Sequence, residues 1–130
     1  MLLAHASVGT NDIERAITFY DAVFATIGQR RATRGERWAA YGDYGDFGLG
    51  VFWLLTPIDG KPATAGNGTN IGLLAPSRAA VDNFYQTALA LGGTCEGKPG
   101  IRADDHPNFY AAYVRDLDRN KLVVVCHRAP

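Results

Sequence analysis

The spacing of apolar residues changes several times along the chain. LLAHASV, residues 2–8, alternates loosely and carries β-favouring side chains, which predicts a strand. In NDIERAITFYDAVFATIG, Ile13, Ala16, Ile17, Tyr20, Val23, Phe24 and Ile27 recur at helical spacing. Asn11 or Asp12 can cap that helix, Glu14 puts a negative charge in its first turn, and Gly28 closes it. GQRRATRG, ERWAAYGD and FGLGVFWLL follow as three strands separated by Gly- and Asp-containing turns. TPIDGKPATAGNG has no period and supplies a linker over residues 56–68. Then the order begins again. NIGLLA is a strand, and Pro76-Ser77 opens a helix, SRAAVDNFYQTALALGG. Ala80, Val81, Phe84, Tyr85, Ala88 and Leu91 share one face of it, and Gly92 stops it. GGTCEGKP, NFYAAYVRD and NKLVVVCH supply three more strands.

The pattern is an internal repeat. A shift of 65 residues places Phe19-Tyr20 on Phe84-Tyr85, Asp12 on Ser77 and Gly28 on Gly93. A shift of 72 places Trp38-Ala39-Ala40-Tyr41 on Tyr110-Ala111-Ala112-Tyr113, so the second copy is longer by about seven residues in its middle. Residues 1–130 therefore read as one α+β domain made of two βαβββ modules, the first about 1–55 and the second about 69–130. A unit of that size cannot bury its own sheet, so the two must pack together. Two curved mixed sheets laid side by side enclose a cup, and concave, partly apolar spaces are where small molecules bind.

Composition narrows the partners. Lys plus Arg and Asp plus Glu number 13 each, so no global charge favours nucleic acid or a membrane surface. The one basic cluster, RRATRGER with Arg30, Arg31, Arg34 and Arg37, reads first as solvated strands and second as an anion or carboxylate trap. Cys95 and Cys126 lie in no C-x-x-C or C-x-x-H grouping, which leaves zinc and dithiol chemistry without support. MLLAHASVGT is too short and polar for a signal peptide, and no apolar run approaches the ~18 residues of a spanning helix. The expectation is a cytoplasmic protein with reduced cysteines, in which the sequon Asn67-Gly68-Thr69 is a chance match.

AHASVGTNDIERAITFYDAVFATIG, GNGTNIGLLAPSRAAVDNFY and HPNFYAAYVRDLDRNKLVVVCH together resemble the vicinal oxygen chelate (VOC) superfamily of glyoxalase I, extradiol dioxygenases and bleomycin and fosfomycin resistance proteins. The last segment is the most specific, being similar to the D-x-D-G-N-K-apolar-Glu ending of many glyoxalase-like proteins. The resemblance implies the glyoxalase/bleomycin resistance/dioxygenase fold and, in many relatives, a homodimer. In metal-using members the first and fourth strands of each module supply ligands, commonly histidine from the former and a carboxylate from the latter. Here His5 matches a first-strand ligand and its repeat partner is Asn70. Val123 stands where the carboxylate follows N-K-apolar, and the first module's fourth strand offers Val51, Phe52 and Trp53. His5 is thus a remnant ligand in a degenerate site. A lone imidazole with no carboxylate charge is a poor match to Mg²⁺, Mn²⁺ or Fe²⁺, and no tightly bound cofactor is expected. Asn70 becomes a polar cup position that bonds a ligand, a water or His5, or else satisfies nearby backbone groups.

Other chemistry is thinner. IRADDHPNFY gathers Arg102, Asp104, Asp105, His106 and Tyr110, and His106 could act as a general base or replacement ligand, against the plainer reading of a solvated turn ended by Pro107. DLDRNK opens like a calcium loop, but Lys121 replaces the required glycine and His127 the terminal glutamate. GNGTNIG and GTCEGKP have the wrong spacing for phosphate loops. Trp38, Tyr41, Phe47, Phe52, Trp53, Phe109, Tyr110 and Tyr113 crowd the strands, about half of them expected to face the cup. The two tryptophans suit a flat or apolar ligand. The sequence therefore predicts a glyoxalase- or dioxygenase-like protein acting on a small, partly aromatic molecule through His5 and His106. Asn70, Trp53, Phe52, Trp38, Tyr110, Val123 and Arg102 are the ligand-contact candidates. The alternatives are metal-free sequestration without catalysis and a pairing module whose cup is filled.

Overall fold

A computed structural model of the chain describes residues 2–43 and 49–130, with only the backbone of Leu49. The element order is β1 (Ala6–Gly9), α1 (Ile13–Ala25), β2 (Arg31–Arg34), β3 (Trp38–Asp43), β4 (Leu49–Leu55), β5 (Ile71–Leu74), α2 (Arg78–Ala90), β6 (Thr94–Ile101), β7 (Tyr110–Arg115) and β8 (Lys121–Cys126). The strands form two mixed four-stranded sheets, ordered β1-β4-β3-β2 and β5-β8-β7-β6, in which the first strand of each pairs parallel with the last and the other pairs are antiparallel. This is the predicted α+β arrangement. All ten elements expected from the pattern are present, and Phe47 alone of the singled-out aromatics lies outside the described residues.

Each helix begins where a capping side chain ends the preceding extended segment. Asp12 accepts from the Arg15 N–H at 3.1 Å, and Ser77 accepts from the Ala80 N–H at 3.1 Å, each satisfying one of the amides a helix start leaves open. Gly28 and Gly92 take φ of +76° and +99° just beyond the two helices, a conformation that side chains resist. One apolar cluster holds both helices against one face of each sheet. Tyr20, Phe24, Tyr41, Phe52 and Leu54 fill it from the first half, and Val81, Phe84, Val114, Leu122 and Val124 from the second. Helix-to-helix contact makes the core continuous, which answers the small size of either half.

The opposite, helix-free faces carry the remaining strand residues. On the first sheet these include Trp38, Ala40, Val51 and Trp53; on the second, a separate cluster of Ala111, Val123 and Val125 with Phe109 and Tyr113. Here the repeat needs a correction. The 65-residue shift carries the bounds of β1 and α1 onto those of β5 and α2, and the 72-residue shift carries β3 onto β7. Yet the WAAY and YAAY stretches face opposite ways. Tyr41 is in the helix-side core and Trp38 outside it, whereas Tyr113 is on the helix-free face and Tyr110 packs toward α2. Side chains alternate strictly, so one added residue at a bulge flips a strand's faces, and the β2–β3, β3–β4 and β6–β7 pairings all carry such irregularities.

Both cysteines are free, Cys95 exposed and Cys126 buried. Among the described residues no helix is long and apolar enough to cross a membrane.

Candidate functional site

His5 and Asn70 occupy matching places, each the residue just before the first ladder residue of an edge strand, β1 and β5. The expectation of strands beginning at residue 2 and residue 70 ran slightly long. The two side chains line one small open cavity of about 170 Å³, together with Leu3, Val51, Phe52 and Ile71. Both residues are exposed, and neither side chain has a hydrogen-bond partner among the described residues. Asn70 therefore does not satisfy neighbouring backbone groups, and its amide is open to solvent or ligand. The nearest ring to His5 is the Trp53 indole, edge-on with centroids 6.3 Å apart.

Trp53 is held in place from several sides. Its indole N–H donates to the Gly50 carbonyl at 2.8 Å, and its ring lies 5.4 Å from that of Trp38. Gly50, at φ +94°, permits this; a Cβ there would stand 2.8 Å from the indole and 2.9 Å from the Ala40 methyl. The result is an aromatic strip running from His5 across Trp53 to Trp38, with successive rings inclined by 63° and 37°. Phe52, by contrast, is 5% exposed and belongs to the helix-side core, reaching the cavity only from beneath.

Strand register shows which fourth-strand residues lie beside the two polar positions. Ser7 pairs with Trp53 and Gly72 with Val123, so Trp53 and Val123 are the fourth-strand counterparts lying beside the positions two residues beyond His5 and Asn70. The donor set at the four corresponding places is an imidazole, a carboxamide, an indole and a valine. That chemistry does not fit a divalent ion, because it contains one good nitrogen donor and no negative charge. Among the described residues no group of three or more His, Cys, Asp or Glu side chains is placed to hold a metal.

The other sequence candidates sit elsewhere. Tyr110 donates its hydroxyl to Asp82 at 2.7 Å, with the Arg78 guanidinium 5.2 Å over its ring, so it fastens β7 to α2. Arg102 donates to the Lys98 carbonyl at 2.7 Å and lies 5.6 Å over the Tyr113 ring. His106 does not line the His5–Asn70 cavity. It instead forms a pair that the sequence did not disclose: His106 Nε2 and His127 Nδ1 are 2.8 Å apart, both rings standing about 5.4 Å from Phe109. The Asn108 N–H donates to His106 Nδ1 at 3.0 Å, which fixes that nitrogen as the acceptor. With Nδ1 accepting, His106 Nε2–H is the donor to His127 Nδ1. Alternation from Val123 and Val125 to His127 was the available signal.

The aspartates of DLDRNK do not form a cation loop. Asp116 is 4% exposed, and its carboxylate accepts from the Tyr20 hydroxyl at 2.5 Å, the Asp118 and Asn120 N–H groups at 2.9 and 2.8 Å, and the Asn120 carboxamide at 2.8 Å. Asn120 also donates to the Gly9 carbonyl at 2.9 Å, tying this turn to β1 across the chain. Burial raises the Asp116 carboxyl above its ordinary range, with the Tyr20 and Asn120 bonds pulling partly the other way. The Tyr20 phenol is pushed well up by burial and by Asp116, so it stays a donor.

Paired strand–helix–three-strand units of this kind recur in known proteins. The sequence profile of the Glyoxalase/Bleomycin resistance protein/Dioxygenase superfamily matches residues 2–124, and the chain belongs to that superfamily. It is similar to a glyoxalase/bleomycin resistance protein from Albidiferax ferrireducens T118, at 37% identity and a TM-score of 0.85, covering 99% of this chain and 100% of that one. The fold alone is shared with a glyoxalase-related enzyme from Fulvimarina pelagi (17% identity, 97% and 88% covered, TM-score 0.72). It is shared likewise with a family enzyme from Burkholderia phytofirmans PsJN (19%, 96% and 98%, 0.70). No curated protein matches.

Proposed function

We propose that this chain binds a small, partly aromatic molecule at the seam between its two sheets, without a tightly held metal ion. One observation carries the reading: two polar side chains 65 residues apart, His5 and Asn70, line the same cavity with their hydrogen-bonding atoms unengaged. A cavity of about 170 Å³ is smaller than the ~300 Å³ at which ligand sites usually begin. A bound molecule would therefore extend over the Trp53–Trp38 strip, with His5 and Asn70 orienting its polar end. Lewis-acid chemistry of the kind the resemblance implies has no adequate donor set here.

The His106–His127 pair supports a second reading, metal-free acid–base catalysis. A directed imidazole pair on the face of Val123 and Val125 can present a donor or, after losing its internal bond, a proton acceptor. Association of two copies, expected from the resemblance, remains part of the proposal; exposed Leu74 and Ile101 on strands at the two edges of the second sheet suit it.

The test is metal analysis and ligand titration of protein purified without a histidine tag. The expected result is well under one equivalent of divalent metal, together with quenching of tryptophan fluorescence by aromatic fragments bearing a hydrogen-bonding group. Changing His5→Ala and Asn70→Ala together should weaken that quenching about tenfold, the loss of one or two hydrogen bonds in a partly desolvated site. Stoichiometric Mn, Fe, Ni or Zn that disappears with His5→Ala would overturn the reading. Turnover abolished by His127→Ala would move it to the second.

A further inference from the structure

A cavity larger than the one at the seam is formed elsewhere by the described residues. An open space of about 780 Å³ lies at the other end of the first sheet's helix-free face, between Ser7, Arg37, Trp38 and Leu55 on one side and the segment from Thr56 to Gly60 on the other. The two cavities share no lining residue. The sequence marks this segment only as the start of a linker, yet it is a built wall. The Thr56 N–H donates to the Arg37 carbonyl at 2.9 Å, and Gly60 closes a turn on Pro57 at 3.1 Å. Further on, Asn11 clamps Ala63 from both sides, accepting from its N–H at 2.7 Å and donating to its carbonyl at 3.3 Å. Gly9 lets that contact close, since a Cβ there would stand 2.9 Å from the Ala63 methyl.

Two features of this space are left without partners. Ile58, at the tip of the pinned turn, is fully exposed at 104%. The Arg37 guanidinium, like that of Arg30, has no hydrogen bond or ion pair among the described residues, whereas Arg31 pairs with Asp21 at 3.3 Å and Arg34 with Glu14 at 3.0 Å. Arg37 is therefore the cation of that group on the tryptophan side, beside the Trp38 face that stacks toward Trp53. The nearby acid in the lining, Asp59, turns its carboxylate back to the Lys61 N–H at 3.0 Å. Hydroxyls of Ser7 and Thr56 complete the polar rim, the latter donating to the Arg37 carbonyl at 3.2 Å.

We infer that this second cavity is a binding site for a planar aromatic anion, its ring held between Trp38 and Ile58 and its carboxylate or similar group held by Arg37. A guanidinium matches a carboxylate's two oxygens with two parallel N–H donors, and an indole offers a broad apolar face at little cost in rotamer freedom. This inference does not rest on the reading of the seam, although both sites use Trp38.

Isothermal titration with 2-naphthoate and with its neutral analogue 2-naphthamide tests it, alongside the two tryptophan indole N–H resonances. Naphthoate should bind with the Trp38 resonance shifted and naphthamide about tenfold more weakly, the value of one charge-assisted contact. Arg37→Met, which keeps most of the apolar stem, should bring naphthoate to the level of naphthamide, and Arg37→Lys should recover part of the loss. Raising salt should weaken naphthoate alone, because Arg37 is exposed. Ile58→Ser should weaken both probes by a similar factor. In the His5→Ala, Asn70→Ala variant any binding at the seam falls, but the part of naphthoate binding that depends on Arg37 and Ile58 should be unchanged, which separates this site from the seam. Equal affinity for the two probes, indifference to Arg37→Met, absence of binding at millimolar probe, or loss of that part of the binding on removing His5 and Asn70 would each overturn the inference.

Discussion

A buried acid shows how much a single residue can carry. Asp116 lies under Tyr20 and Asn120, and the balance of burial against hydrogen bonds leaves its carboxyl above the ordinary range. A carboxyl whose folded pKa is raised binds its proton more tightly in the native chain. Its contribution favours folding fully below the unfolded value, near pH 4, and is lost as pH rises through the folded value. Relative to Asp116→Asn, the natural protein should therefore gain stability as pH falls from 7 toward 4, measured by urea denaturation of both at each pH. Parallel curves would show that the carboxyl does not titrate in the fold. Tyr20→Phe should cost about 1–3 kcal/mol at pH 7, because it strips a donor from a buried charge. It should also push that window upward, since the phenol is one of the groups holding the carboxyl down. None of this was legible in DLDRNK. The sequence shows only that the glycine and glutamate of a calcium loop are missing, and which donors the aspartate meets depends on α1 and β1, about a hundred residues away.

Elements were far more legible than their orientation. Helix periodicity, capping residues and glycine stops are local, so α1 and α2 could be read within a few residues of their ends. Strand faces are set by bulges, which leave no reliable local mark, and the WAAY and YAAY match looked like a structural overlay when the stretches in fact face opposite sides. The two helices nonetheless differ in a way that can be tested. α1 has Glu14 in its first turn, whereas α2 has no acid in its first turn and no base in its last, so the Ser77 hydroxyl is its main terminal compensation. Ser77→Ala should cost about 1 kcal/mol. Ser77→Asp should be neutral or gain a few tenths of a kcal/mol, because the carboxylate keeps the cap and adds charge to the positive end of the helix. Thermal melts of the three proteins should rank aspartate at or above serine and alanine below.

At the scale of the whole molecule, the question is whether the two halves of one chain still form the space that their doubled architecture implies. The 65-residue shift relates His5 to Asn70 both in sequence and in place, and a single cavity takes in both. Val51 lines that cavity too, 39% exposed, next to the residue that pairs with Ala6. Exposure matters here, because a carboxylate at this position would keep contact with water and avoid the several kcal/mol that burying an unpaired charge costs. Asn70→His together with Val51→Glu would then supply, with His5, two imidazoles and one carboxylate around a shared point, a donor set suited to Ni²⁺, Zn²⁺ or Fe²⁺. Such a variant should bind Ni²⁺ or Zn²⁺ at least a hundredfold more tightly than the natural chain in calorimetric titration, and should release protons as it does so. Removing His5 from it should abolish the gain, while Val51→Glu alone should leave affinity low. A doubly substituted protein that melts normally yet gains no affinity would mean that the imidazole and the amide share a cavity wall without converging, and the seam site would then have to be redrawn around the tryptophan strip alone.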